Sequence, residues 1–109
     1  MKIMEIERRN NERVPVSFEA KIGGGYQGYR ARVTDLSLGG CYVETMTLVG
    51  INELLTIEVR MPTGNWLKLK GQVIYCHAHI GFGIRFFQLT QLEIDVVRNL
   101  IEYTQNTNN

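Results

Sequence analysis

The residues of this sequence with the most evident chemistry form the stretch 35–40, Asp-Leu-Ser-Leu-Gly-Gly. Asp35 supplies a carboxylate and Ser37 a hydroxyl, and both side chains can hydrogen-bond to backbone N–H groups nearby. Gly39 and Gly40 allow positive φ angles or the close approach of a ligand to the backbone. Two interpretations are open: a tight turn between two strands, or a site at which a ligand meets the backbone.

A second polar cluster lies upstream, where residues 7–13 read Glu-Arg-Arg-Asn-Asn-Glu-Arg. Arg9 and Arg13 have the spacing RxxxR, which would place both guanidinium groups on one face of a helix. In an extended segment the same side chains could still converge on one ligand. The alternative is a solvated terminus, in which the neighbouring glutamates are the partners of the arginines.

The sequence gives little support to catalysis or to a metal site. The run Cys76-His77-Ala78-His79 offers metal ligands, but a strand places its histidines on the face opposite the cysteine, and no second ligand pair has zinc-site spacing. No nucleophile elbow surrounds Ser37. We therefore expect no metal, no catalytic residue and no enzymatic activity. Cys41 and Cys76 form no CxxC motif, so free thiols are expected.

Composition narrows the class of protein. A chain of 109 residues with 44% hydrophobic residues predicts one globular domain with one modest core. Twelve basic and eleven acidic residues give a net charge of +1, without the basic excess of a polynucleotide-binding protein. No run approaches the ~18 apolar residues of a membrane span, and acidic residues interrupt the first seven positions, unlike a signal peptide. We expect a cytoplasmic protein without direct membrane insertion.

Six segments alternate between hydrophobic and polar residues, which predicts six antiparallel strands. Glycine-rich or turn-forming residues separate most of these segments. The predicted strands are Val14–Ile22, Tyr29–Thr34, Cys41–Thr47, Leu55–Met61, Trp66–His77 and His79–Phe87.

The last two predicted strands contain irregular positions. In the fifth strand, Val73 and Tyr75 share the predicted inward face, and Gly71 suggests a bulge or a barrel corner. In the sixth strand, Gly81 and Gly83 leave room for a ring or for another backbone to pack flat on one face.

The period becomes helical near the C-terminus. Thr90 and Glu93 form a capping box, and the helix is expected to end by Gln105, followed by a frayed tail over residues 106–109. The predicted apolar stripe consists of Leu92, Val96, Leu100 and Tyr103, widened by Val97 and Ile101. Several short strands followed by one amphipathic helix predict a small β-barrel with a helix packed against it.

Together, the two polar clusters resemble the paired signature of the PilZ domain family, RxxxR followed by [D/N]xSxxG some twenty to thirty residues later. Arg9 and Arg13 match the first motif, and Asp35, Ser37 and Gly40 match the second. The glycine-rich late strand also resembles the family, and the resemblance covers nearly the whole chain. It implies a mainly β fold, a PilZ-like split barrel of six antiparallel strands with one C-terminal α-helix.

The resemblance implies a receptor for the bacterial second messenger cyclic di-GMP that needs no cofactor. Arginine side chains would contact the guanines and the phosphates, and Asp35 would accept hydrogen bonds from a guanine N–H edge. Ser37 would add a hydroxyl contact, and the glycines would let the loop approach the ligand. The implied ligand-binding residues are Arg8, Arg9, Arg13, Asp35, Ser37, Gly39 and Gly40.

The resemblance also implies a mode of action. Residues 1–13 would be a flexible ligand-binding leader, residues 14–105 the barrel and helix, and occupancy would pass to an unidentified protein partner of a stand-alone adaptor. Arg8 precedes RxxxR directly, and in the family an arginine there accompanies two stacked ligand molecules per site. Two alternatives stay open: a PilZ-like interaction module that works without nucleotide, and a barrel that binds single-stranded nucleic acid, which the near-neutral charge disfavours.

Overall fold

The computed structural model of the protein describes residues 12–23 and 30–107, and contains six strands and one helix within them. The first and fifth strands have the predicted bounds, and the other strands differ from the predicted ones by a few residues. The elements are β1 (Val14–Ile22), β2 (Arg30–Leu36), β3 (Gly40–Glu44), β4 (Leu54–Arg60), β5 (Trp66–His77), β6 (Gly81–Phe86) and α1 (Gln91–Thr107).

The six strands form a closed antiparallel barrel in the order β1-β2-β3-β6-β5-β4. Neighbours in sequence pair with each other, except at two joints, where β3 pairs with β6 and β1 pairs with β4. The predicted fold class, a six-stranded antiparallel barrel with a single C-terminal helix, is confirmed.

Inward-facing side chains from all six strands make one hydrophobic core. Burial of each large apolar side chain contributes about 1.5–3 kcal/mol, so this interior is the main source of stability. The largest fully buried side chains are Phe82, Ile22, Ile57, Leu69, Ile84, Val33, Val43, Val73, Val97 and Cys41.

A bulge in β5 shows that the predicted inward position of Tyr75 was wrong. Val73 pairs with Ile84 of β6, whereas Tyr75 pairs with the preceding residue of β6, Gly83. Ile74 is therefore an extra residue between two successive pairs. Because one extra residue reverses the alternation of a strand, Val73 is buried in the core while Tyr75 lies half-buried on the outer face.

Two other predictions near β5 also change. Of the two interpretations of Gly71, the bulge is wrong, because Gly71 pairs regularly with Leu55 of β4 and with Phe86 of β6. No observation contradicts the other interpretation, a barrel corner. Ile80 falls within the predicted sixth strand, but it lies in the turn after β5 and is 64% exposed. The preceding residue, His79, has a φ of 62°, which belongs to the turn and not to an extended strand.

The capping box of α1 forms as predicted. The backbone N–H of Thr90 donates to Glu93 Oε1 at 2.8 Å, and the backbone N–H of Glu93 donates to Thr90 Oγ1 at 3.1 Å. The helix continues to Thr107, two residues beyond its predicted end. Within the part of the chain that the structure describes, no helix is both long and apolar enough to cross a membrane.

The buried face of α1 differs from the predicted stripe. Val97 and Leu100 are buried, whereas Leu92 is 73% exposed and Tyr103 is 49% exposed. The helix packs mainly against β1, and it buries only a narrow stripe of its surface. That stripe is centred on Val97 and not on Val96.

Candidate functional site

The turn between β2 and β3 is shorter than the sequence predicts. Asp35 and Leu36 are the last two residues of β2, and Gly40 is the first residue of β3. Only residues 37–39 form the turn, which is closed by a hydrogen bond of 2.9 Å from the N–H of Ser37 to the carbonyl oxygen of Gly40. Asp35 is therefore held by strand pairing and not by a loop.

The hydroxyl of Ser37 is engaged by the backbone of the turn. It accepts hydrogen bonds from the N–H groups of Gly39 at 3.2 Å and Gly40 at 3.1 Å, and it donates to the carbonyl oxygen of Gly40 at 3.3 Å. The residue is 6% exposed. Its structural role is thus to satisfy the polar groups of the turn, and its contact with a ligand stays a prediction.

Gly40 is required by the approach of a neighbouring strand. A Cβ at this position would collide with the backbone carbonyl oxygen of Ile84 in β6. β3 and β6 pair here, with Gly40 opposite Arg85, and the N–H of Phe86 donates to the carbonyl oxygen of Gly39 at 2.9 Å. The role of Gly40 in ligand approach stays a prediction, beside this packing role.

Arg13 and Asp35 form an ion pair at the outer surface. Arg13 Nη1 lies 3.0 Å from Oδ1 and 3.2 Å from Oδ2 of Asp35. The pairing of β1 with β2 sets Pro15 opposite Asp35, which brings the segment just before β1 to this carboxylate. The side chains of Arg13 and Asp35 are 42% and 29% exposed, so both remain accessible to a ligand.

The electrostatics of Arg13 keep its guanidinium charged. Partial burial lowers the pKa of the Arg13 guanidinium, but Asp35 and Tyr75 outweigh that effect by charge interaction and hydrogen bonding, so the pKa is raised overall. Arg13 is therefore a permanent cation beside the Asp35 carboxylate.

The two signature motifs are thus brought together at one pair of residues, the last of RxxxR and the first of DxSxxG. Arg8 and Arg9, the other predicted arginines, lie outside the described residues.

An open cavity of about 490 Å³ lies beside the β2–β3 turn. It includes four of the predicted site residues, together with three that the sequence analysis did not single out. Arg85 faces outward opposite Gly40, so it adds a second cation, and Ile74 is placed there by the bulge in β5. The cavity is lined by Arg13, Ser37, Gly39, Gly40, Ile74, Ile84 and Arg85.

Three rings that the sequence analysis did not assign to the site lie on the same outer face. Tyr42 of β3 is paired with Asp35 of β2, and both Tyr42 and Tyr75 are paired with Gly83 of β6. The Tyr42 hydroxyl lies 2.9 Å from His77 Nδ1, within hydrogen-bonding distance. We refer to Tyr42, Tyr75 and His77 as the aromatic patch.

The sequence signal for this patch was the pair of glycines in β6. A Cβ at Gly83 would meet the ring of Tyr75, and one at Gly81 would lie 2.8 Å from Cε2 of Tyr42. The prediction that these glycines leave room for a ring is confirmed. Which rings occupy the space could not be predicted, because the bulge decides that Tyr75 faces outward.

Cysteine and histidine side chains are dispersed. Cys41 is a buried free thiol behind the turn, and Cys76 is a half-buried one. Burial raises the pKa of the Cys41 thiol, with a further contribution from Asp35, which makes it unreactive. Over residues 12–23 and 30–107, no group of three His, Cys, Asp or Glu side chains could hold a metal ion.

The fold is a small closed β-barrel that carries a charged pair and an open cavity on its outer face. The profile of the PilZ domain family matches residues 7–103, and the chain therefore belongs to the PilZ domain family. The predicted resemblance is confirmed. A comparison with curated protein sequences found no match.

Solved structures share the fold. YcgR from Escherichia coli in complex with c-di-GMP has a TM-score of 0.77 and 19% identity, over 92% of this chain and 47% of that one. The PilZ domain of E. coli YcgR with c-di-GMP has a TM-score of 0.72 and 17% identity, over 92% and 96%. The inhibitor of motility MotI/DgrA from Bacillus subtilis has a TM-score of 0.70 and 13% identity, over 86% and 49%.

These identities are low, so the structural matches establish the fold alone. The chain spans about half the length of the YcgR and MotI/DgrA structures that it matches.

Proposed function

We propose that this protein is a receptor for cyclic di-GMP, which binds on the outer face of the barrel beside the β2–β3 turn. The contact between Arg13 and Asp35 carries the proposal, because it joins the two halves of the family signature at one accessible point. The c-di-GMP complexes of E. coli YcgR and of its PilZ domain support the choice of ligand.

The chemistry of the pair suits a ligand with two phosphates and two guanines. A guanidinium can donate two hydrogen bonds to O6 and N7 of guanine or to a phosphate, and a carboxylate can accept from the N–H edge of guanine. An exposed ion pair contributes only about 0–1 kcal/mol. The ion pair between Arg13 and Asp35 can therefore break at little cost in free energy, and each side chain can then bond to the ligand.

Three further arginines, Arg85, Arg8 and Arg9, extend the proposed site in two directions. Arg85 lines the cavity opposite Gly40 and supplies a cation for one phosphate. Arg8 and Arg9 act from the leader, with Arg9 on a guanine or a phosphate and Arg8 on a second, stacked ligand. The proposed stoichiometry is two molecules of cyclic di-GMP per protomer.

In this proposal the protein is a non-catalytic cytoplasmic adaptor. Occupancy orders the leader over the barrel and presents a new surface to a protein partner, whose identity is open. The alternative is an interaction module that works without nucleotide, and accessible charged groups at the signature positions argue against it.

The test is isothermal titration with cyclic di-GMP, with GTP and single-stranded RNA as control ligands. Arg13→Ala should weaken binding about 10- to 150-fold, since hydrogen bonds to charged groups contribute about 1.5–3 kcal/mol. Arg98→Ala is the matched control, because Arg98 makes an ion pair of the same 3.0 Å length with Asp95 on α1. It should leave the affinity unchanged.

The same titration reads the stoichiometry from its equivalence point. A folded wild-type protein that does not bind cyclic di-GMP would overturn the receptor function and favour the nucleotide-independent module. Wild-type affinity in Arg13→Ala would remove Arg13 from the site.

A further inference from the structure

The aromatic patch is a compact set of three rings on the outer surface. The ring centroids of Tyr42 and Tyr75 are 6.1 Å apart, with an angle of 27° between the ring planes. His77 lies 5.8 Å from the Tyr42 ring and 5.4 Å from the Tyr75 ring, tilted against both. The tyrosines are half-buried and the histidine is exposed, so the patch is open to solvent along one side.

The backbone beneath the patch determines how the rings lie. The three atoms nearest to a Cβ at Gly83 would all belong to the Tyr75 side chain, and a Cβ at Gly81 would meet the Tyr42 ring. The two rings therefore rest over glycines of β6 instead of standing away from the sheet. Glycines at these two positions allow rings from β3 and β5 to lie against the strand between them.

The patch is continuous with the charged pair. Tyr42 is the strand partner of Asp35, and Tyr42 and Tyr75 are both paired with Gly83 of β6. The carboxylate that binds Arg13 therefore lies on the strand position next to a ring of the patch. A ligand group that replaces Arg13 or Asp35 in their ion pair lies beside the rings.

We propose that the aromatic patch is a stacking site for a purine base of the ligand, with Tyr75 as the principal contact. This inference rests on the proposed function and adds a specific surface to it. One guanine meets Arg13 and Asp35 with its edge. Either this guanine or the second one stacks its face against Tyr75. The Tyr42–His77 contact fixes the neighbouring ring, so that little side-chain freedom is lost on binding.

Stacking on an aromatic ring is the contact that suits this surface. A purine face is large and apolar, and its removal from water onto an aromatic ring is favourable without any matching hydrogen-bond pattern. The polar edges of the same base then determine specificity through Arg13 and Asp35. One residue pair would thus recognise the edge while the patch binds the face.

The experiment compares three variants by titration with cyclic di-GMP and by the proton NMR shift of guanine H8. Tyr75→Leu removes the ring, and it should weaken binding about 5- to 150-fold and abolish the upfield shift that stacking causes. Tyr75→Phe retains the ring and should keep both the shift and nearly all the affinity. Tyr103→Leu, on exposed α1, is the matched control and should behave as wild type.

A fourth variant guards against misfolding of Tyr75→Leu. Gly83→Ala places a methyl group where the Tyr75 ring lies, so it displaces the ring without deleting it, and it should also weaken binding and reduce the shift. Thermal unfolding verifies that each variant is folded at the titration temperature.

The outcomes separate this inference from the proposed function. Loss of affinity and of the H8 shift in Tyr75→Leu, with retention in Tyr75→Phe, supports the stacking site. Wild-type binding in a folded Tyr75→Leu protein overturns the stacking site alone, as does an equal loss in Tyr75→Phe, which would assign the effect to the Tyr75 hydroxyl. A wild-type protein that binds no cyclic di-GMP overturns both.

Discussion

The two ends of the stretch 35–40 differ in what surrounds them. At the Gly40 end, the Ser37 hydroxyl and the N–H groups of Ser37, Gly39 and Gly40 are bonded within the turn, the carbonyl oxygen of Gly39 is bonded to β6, and Ser37 is 6% exposed. At the Asp35 end, the carboxylate meets Arg13 at the surface and both side chains remain accessible. One sequence motif therefore combines a part that builds the barrel with a part that can face a ligand.

This difference predicts that stability and affinity will separate along the motif. Substitutions at the buried end should lower the free energy of unfolding, because they either force a side chain against a packed backbone or leave a backbone group without its hydrogen-bond partner. Substitutions at the exposed end should lower affinity with little effect on stability. A motif that acted only in binding would show no such division.

The largest effect is expected at Gly40. Gly40→Ala places a methyl group against the carbonyl oxygen of Ile84, where two paired backbones cannot separate without disrupting the ladder. We expect a loss of about 3 kcal/mol in the free energy of unfolding, at the upper end of typical overpacking effects, measured by chemical denaturation. Gly50→Ala is the control, because a Cβ there would be 3.6 Å from the nearest atom, Glu53 Oε1. Equal stability of the two variants would contradict the close approach of β3 and β6.

A smaller effect is expected at Ser37. Ser37→Ala removes the acceptor for the N–H groups of Gly39 and Gly40, and a buried group left unbonded costs about 1–3 kcal/mol. The matched control is Thr63→Ala, because the Thr63 hydroxyl accepts the N–H of Asn65 at 3.3 Å in an exposed turn, where water can replace it. If Ser37→Ala lowered the affinity for cyclic di-GMP more than the stability, the hydroxyl would belong to the ligand-facing part.

The smallest effect on stability is expected at Asp35. Asp35→Ala should change the free energy of unfolding by less than about 1 kcal/mol, since exposed ion pairs contribute little, while the affinity for cyclic di-GMP falls about tenfold or more. Asp35→Asn keeps an acceptor oxygen and should bind better than Asp35→Ala. A loss of stability without a loss of affinity would place Asp35 with the buried end.

The sequence predicted the parts of this molecule that depend on local pattern. Alternation gave six strands, and the spacing of Thr90 and Glu93 gave the start of α1. The family signature singled out Arg13 and Asp35, 22 residues apart, and the pairing of β1 with β2 brings them into contact.

Features that depend on the exact register and closeness of contacts between elements were not predictable. The extra residue Ile74 is defined only by how β5 pairs with β6, and it reverses the face of Tyr75. The engagement of the Ser37 hydroxyl depends on how tightly the turn closes. The buried stripe of α1 depends on how the helix lies against the barrel, which it contacts mainly at β1.

The strand order has a consequence for how the barrel forms and opens. β1-β2-β3 and β4-β5-β6 are two sequential meanders, and their strands pair with each other where β3 meets β6 and β1 meets β4. Contacts between distant parts of a chain form slowly, because the loop entropy must be lost before they form. A ligand that touches Asp35 of the first meander and Tyr75 of the second spans the β3–β6 joint. Binding would then hold the two meanders together across the β3–β6 joint, and would slow their separation as well as signal occupancy.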